Sequence, residues 1–158
     1  MKRMKSLALA AAGVIALSAM AASGVLAAVS PSASAIISAR KANFRKMGAA
    51  AKVLKTELAG NADKAKMLAA AKTIAANGRL QGALFPAGTG PSAGVKTDAL
   101  PVIWTDRATF DADMKKLIAE SDKLVTVANS GDAAAIGAQF KVVGGTCAAC
   151  HRQFHKEH

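Results

Sequence analysis

The sequence predicts an all-α fold, an antiparallel four-helix bundle, and three observations carry that prediction. Hydrophobic residues make up 52% of the 158 residues, yet aromatics are only 4% and tyrosine is absent. Much of the apolar content is alanine, the best helix former and a poor core filler, so closely packed helices are expected around a core that would gain from a large apolar insert. Four segments space their apolar residues at helical intervals, and no strand-like alternation runs for long. The connections between them are short, long and short, which makes two helical hairpins joined by one link.

Residues 1–5, MKRMK, carry three cations and no acid; an apolar run, LALAAAGVIALSAM, and small residues, AASGVLAA, follow. This is the pattern of an export signal, with cleavage after Ala27. The expected organisation is a signal peptide over 1–27 and one bundle domain over 28–158. An uncleaved anchor is the alternative, since residues 6–26 could just span a bilayer. In the first helix Ile37, Phe44, Met47, Ala51, Leu54 and Leu58 form one seam, with Arg40 at the remaining slot; Gly60 and Asn61 end it. The second runs over about residues 62–78, with Met67, Ala70, Ala71 and Ile74 on its apolar face and Asn61 or Asp63 as its cap. Residues 80–104, LQGALFPAGTGPSAGVKTDALPVIW, hold three of the four prolines and read as a long connection that no helix crosses. The third helix begins near Thr105, carries Phe110, Met114, Leu117, Leu124 and Ala128 with Ser121 breaking the stripe, and stops at Asn129, Ser130 and Gly131. The fourth opens at Asp132 as N-cap and places Ile136, Phe140, Val143, Cys147, Cys150 and Phe154 on one seam.

The net charge is +11, with three of the cations in the first five residues. The rest are scattered as on a solvated surface, with no block of five, and could steer an acidic partner protein. The chain lacks the aromatic–basic stripe of a nucleic-acid binder. No catalytic nucleophile or acid–base pair is visible, so an enzyme is not expected. After signal cleavage no membrane association is expected either. An export signal also implies an oxidising compartment, where bare thiols do not persist.

Both cysteines fall in one motif near the end, Cys147-Ala148-Ala149-Cys150-His151. Four chemistries use such a spacing. A disulfide across two helical residues is strained and closes a tiny loop. A thioredoxin-like redox pair needs a βαβ context that is missing here. A zinc site wants three or four protein ligands; Cys147, His151 and His155 make a conceivable strip without a second motif to complete it. C-x-x-C-H is the attachment signature of c-type haem. Two thiols two residues apart match two porphyrin vinyl groups, and the adjacent imidazole reaches the iron as proximal ligand. On a helix Cys147, Cys150 and His151 share one face. The export signal, the seam position and the aromatic-poor bundle all favour one covalently attached haem c, with Cys147 and Cys150 holding it and His151 on the metal.

The chain resembles the class II c-type cytochromes, and most closely the cytochrome c' group, over nearly all of the mature sequence. The resemblance is carried by A-R-K-A-N-F-R-K-M-G (39–48), L-F-P-A-G-T-G (84–90), D-A-L-P-V-I-W (98–104) and G-G-T-C-A-A-C-H (144–151). It implies an antiparallel four-helix bundle, haem held inside it, a periplasmic location and often a homodimer. In low-spin members a methionine four residues after the first-helix arginine is the sixth ligand. Here the arginine is Arg40 and that place holds Phe44, which has no lone pair. The resemblance therefore implies five-coordinate, high-spin iron roofed by Phe44, open to nitric oxide and carbon monoxide, with single-electron exchange with an unknown redox partner. Met47, one turn on, gives the rival reading of a low-spin electron carrier. The resemblance also implies that Arg40 pairs with a haem propionate, the alternative being snorkelling to solvent, and that Lys41 and Asp98 touch the haem. Phe85 and Trp104 would line the haem edge or anchor the link. One departure stands out: the tyrosine and arginine common three and four residues after the proximal histidine are Phe154 and His155 here.

Overall fold

The computed structural model describes residues 31–157; the export signal expected over 1–27 lies outside them. Four long helices form the bundle. α1 spans Ala33–Ala59 and α2 Lys64–Gln81; after the link and a single turn, α3 (Val102–Thr105), come α4 (Arg107–Ser130) and α5 (Ala133–Phe154). Each long helix starts on a side-chain cap that takes an orphan backbone N–H. Ser32 accepts from Ala35, Asp63 from Lys66, Asp106 from Thr109, and Asp132 from Ala134 and Ala135. Gly131, at φ +81, terminates α4 in the left-handed region that glycine enters without strain.

α1 packs on α2, α2 on α4, and α4 on α5. The core joins the predicted seams: Leu54 on α1, Met67 and Ala71 on α2, Phe110 and Leu124 on α4, Ile136 and Val143 on α5. Ser121, the break in the α4 stripe, is fully buried as well.

Two expectations need correction. Gly78 does not end α2, which runs on to Gln81. Gly78 lies on the core face, where a Cβ would sit 3.9 Å from Leu117. On either side of it Asn43 of α1 donates to the backbone oxygen of Asn77 and to Oε1 of Gln81, a polar clasp that spans the glycine. The link, in turn, is not without helix. It holds 3-10 turns at Gly82–Leu84 and Pro91–Ala93, and then α3. α3 ends at Asp106, whose non-helical backbone (φ −118, ψ 60) restarts the chain as the cap of α4.

The link is fastened at three places. The indole of Trp104 donates to the Pro86 carbonyl at 2.9 Å and lies so close over Gly90 that a Cβ there would come within 3.1 Å of the ring. The guanidinium of Arg40 reaches it from α1. Its far end pairs with the chain beyond α5: Leu100 donates to the Phe154 carbonyl (2.9 Å), Lys156 to that of Asp98 (2.8 Å), with Ala99 and His155 bridged antiparallel.

Candidate functional site

α1 and α5 flank a cavity of about 770 Å³, within the range of about 300–1,000 Å³ usual for small-molecule sites. α5 supplies Phe140, Val143, Gly144, Cys147, Cys150 and His151; α1 supplies Arg40, Phe44, Met47 and Ala51. Phe85 and Ile103 line it from the link, and Phe110, Met114 and Leu117 from α4. α5 is the one described helix long and apolar enough to cross a membrane; here its apolar face turns to the cavity.

Cys147 and Cys150 are free thiols, half-buried on this wall. Burial raises the pKa of both. Cys150 is pushed up to about 11, first by desolvation and then by the charges of Asp113 and Cys147. Burial thus disfavours the thiolate form of both. Desolvation, with a smaller contribution from His155, lowers the pKa of His151 and keeps its imidazole neutral, the form that can ligate a metal. Among the described residues no three His, Cys, Asp or Glu side chains are placed to hold a bare ion, so the Cys147–His151–His155 strip does not form a site by itself.

Across the cavity Phe44 faces His151, with ring centroids 6.1 Å apart and planes 72° apart. Phe44 also meets Phe85 edge-on at 6.5 Å, and the aromatic chain continues through Phe110 to Phe154. Met47 lines the same cavity but is 7% exposed and joins the core.

Arg40 does not snorkel; it is 3% exposed. Its Nη1 donates to the Leu84 carbonyl and the Thr89 hydroxyl, and its Nη2 to the Thr89 carbonyl (3.0 Å) and the Thr97 hydroxyl (2.9 Å). The Phe85 ring lies 4.4 Å from the guanidinium carbon. None of these acceptors is a carboxylate, and desolvation lowers the Arg40 pKa. Lys41 lines the cavity and donates to the Lys96 carbonyl at 2.7 Å. Asp98 lines it too, where the link pairs with the chain end. Phe85 is buried on the cavity wall, whereas Trp104 anchors the link.

The structure thus brings Arg40, Lys41, Phe44, Asp98, Cys147, Cys150 and His151 to one cavity. Sequence reasoning missed Arg45, Lys96, Thr97 and Asp113, which also line it. Arg45 was within reach, four residues past Lys41 on the same face. Asp113, three residues after Phe110, reads as a surface charge until α4 is placed.

The residues fit a haem. One wall carries two thiols and a neutral imidazole on successive turns, the opposite wall an aromatic ring, and the lining between is apolar. Comparisons with known proteins agree. The Cytochrome C' family profile matches residues 35–155. A cytochrome c' of Pararhodospirillum photometricum is 36% identical over 118 residues, which is 75% of this chain and 90% of that one. That of Rhodospirillum rubrum is 43% identical over 84 residues, 53% of this chain and 56% of that protein. The solved cytochrome c' of Thermochromatium tepidum superposes with TM-score 0.78 at 27% identity, over 82% of this chain and all of the other. A cytochrome c' with ligand-controlled dimer dissociation gives 0.78 at 28% identity over the same shares. A ferrous, nitric oxide-bound variant from Alcaligenes xylosoxidans gives 0.74 at 25%. Bundle, motif and relatives lead to one assignment: the chain belongs to the cytochrome c' family and carries covalently attached haem c.

Proposed function

We propose that this chain is a periplasmic haem protein with five-coordinate, high-spin iron that binds nitric oxide or carbon monoxide and passes single electrons, and that it is not an enzyme. The observation that carries this reading is the placement of Phe44 opposite His151 at 6.1 Å. When bound, haem supplies a redox-active iron with one coordination position left for a small ligand. His151 would hold the iron through a neutral imidazole. Phe44 offers the distal side neither a lone pair nor a hydrogen-bond donor, which disfavours dioxygen and leaves nitric oxide and carbon monoxide. An entering diatomic must displace the ring, so binding is slow. Arg40, buried with only neutral acceptors, suits a propionate at its remaining N–H, and Lys41 and Asp98 stand close enough to the same cavity to touch the haem.

Export through a signal over 1–27 places the protein in the periplasm. A homodimer is the expected assembly, supported by the dimer described for one structural relative; size-exclusion chromatography of holoprotein checks it.

The second reading, low-spin iron ligated by Met47, draws on the presence of Met47 in the cavity wall. Optical spectra separate the two. High-spin ferric and ferrous bands support the open site; a strong low-spin α-band overturns it. Phe44→Ala is expected to speed carbon monoxide binding to ferrous protein by about tenfold or more, the loss of a barrier above 1.4 kcal/mol, measured by stopped flow.

A further inference from the structure

A ring that must move to admit a ligand needs a place to move to, and most of the surroundings of Phe44 are taken. One turn before it stands Arg40, 3% exposed and held by Leu84, Thr89 and Thr97. The Phe85 ring packs on that guanidinium at 4.4 Å and meets Phe44 edge-on at 6.5 Å. Met47 is buried in the core on one flank, and His151 faces the ring across the cavity. Gly48 is different. It lies one turn after Phe44, about 40° round the helix axis, and it lines the cavity while being exposed to solvent.

Side chains on a helix lean back toward its N-terminus, so a residue at 48 would cover the turn that carries Phe44. Glycine leaves that patch of α1 bare. A Cβ there would meet nothing within 4 Å, so the Phe44 ring does not already fill the space. A glycine inside a helix is destabilising relative to alanine, and a close approach commonly explains it. Gly78 and Gly137 have such contacts, with Leu117 at 3.9 Å and Leu58 at 3.8 Å from their Cβ positions; Gly48 has none. Gly144 and Gly145 share its open surroundings, but they lie on α5, one turn before the attachment cysteines and across the cavity from the Phe44 wall.

We propose that Gly48 is the receiving notch for Phe44: when nitric oxide or carbon monoxide binds, the ring turns aside and comes to rest over the bare backbone at Gly48. The inference rests on the five-coordinate reading above and adds the residue that sets how easily the ring is displaced. Gly48 touches neither ligand nor iron; it acts through Phe44 and is a positioning residue. The ring moves between the staggered χ1 wells that a helix permits, and the only bond formed is the one from the ligand to iron. Because Gly48 is exposed, the displaced ring gives up part of its burial. That loss of apolar burial keeps the covering position favoured when no ligand is present.

The test measures carbon monoxide binding to ferrous holoprotein by flash photolysis. Gly48→Leu fills the notch and is expected to slow association by about tenfold or more, and Gly48→Ala by less. Both replacements favour the helix over glycine and their Cβ meets no neighbour, so both should melt at or above the wild-type temperature. In Phe44→Ala protein, which has no ring to move, adding Gly48→Leu should leave the rate unchanged. Equal slowing in both backgrounds would make Gly48 a passage for the gas and overturns the proposal, as does a Gly48→Leu rate equal to wild type. Ring position is read separately by fluorine NMR of holoprotein labelled with 4-fluorophenylalanine, the Phe44 resonance being the one lost in Phe44→Ala. That resonance should move on carbon monoxide binding in wild type and to a different position in Gly48→Leu; the same movement in both overturns the notch. The resting spectra are recorded first. A low-spin spectrum in wild type removes the five-coordinate reading and the notch with it, whereas a high-spin spectrum with an unchanged Gly48→Leu rate removes the notch alone.

Discussion

Between α2 and α4 the bundle is closed by small residues. Ala70, Ala71, Ala75 and Gly78 on α2 are buried, and Leu117, Ser121, Leu124 and Ala128 bury the matching stripe of α4. Between α1 and α5 the same kind of chain leaves a cavity of about 770 Å³, walled by larger side chains such as Phe44 and Phe140, only half-buried. The difference shows what an alanine-rich composition can and cannot do. Alanine lets two helices approach until their backbones nearly touch, but it supplies no volume for a core where the helices splay. The closed side is complete as protein; the open side is complete only with its cofactor.

The strongest way to break that contrast is to withhold the cofactor. At about 24 cal/mol per Å³, a void of this size kept empty would cost more than the usual total stability of about 5–15 kcal/mol. Water must enter it or the α1/α5 side must collapse. Cys147→Ala with Cys150→Ala is therefore expected to abolish the cooperative thermal transition, with helical circular dichroism partly retained and a hydrophobic dye bound. A double variant that is colourless yet melts cooperatively near the wild-type temperature would show that α1 and α5 hold their places unaided.

The two sides also differ in how much of them could be read beforehand. The closed side follows from local rules: the seams of α2 and α4 at helical spacing, the caps Asp63 and Asp132, and the stop at Gly131 all appear as expected. On the open side the covalent chemistry was legible because Cys147, Cys150 and His151 are neighbours in sequence. The supporting shell was not. Arg40 finds Thr89 49 residues away and Thr97 57 away, and Ala99 bridges His155 across the whole of α4 and α5. No periodicity encodes such pairings. Gly78 misled for a related reason: a glycine that would end an isolated helix is here a packing residue, and the clasp from Asn43 outweighs it.

On the closed side, Leu124→Ala removes a fully buried side chain and is expected to cost about 2–5 kcal/mol, read by denaturant unfolding of holoprotein. The haem spectrum should stay unchanged, because Leu124 does not line the cavity. A spectral shift comparable to that of a cavity variant would mean the two sides are not separable.

Arg40 is the open side's counterpart, a side chain whose loss is felt through a loop. Arg40→Met keeps much of the stem and deletes the donors to Leu84, Thr89 and Thr97. Buried acceptors left unpaired cost about 1–3 kcal/mol. Proteolysis within residues 86–97 should speed up, while the cores of α2 and α4 keep their protection from hydrogen exchange. Loss of protection throughout the bundle would place Arg40 in the global core.

The smallest expected effects come from two buried oxygens that lack partners among the described residues, one on each side: Oγ of Ser121 and Oδ2 of Asp113. Ser121 is completely buried between helices, so its hydroxyl loses water and gains no bond in return. Ser121→Ala should be neutral or stabilising by about 1 kcal/mol, with the reduction potential unmoved. Asp113 instead lines the cavity, close enough for its charge to act on Cys150. A carboxylate beside the attachment point favours the ferric over the ferrous charge state, so Asp113→Asn should move the midpoint potential upward in voltammetry. A potential shift in the serine variant, or none in the aspartate variant, would show that an unpaired oxygen acts the same way wherever it is buried and that the cavity wall has no electrostatic character of its own.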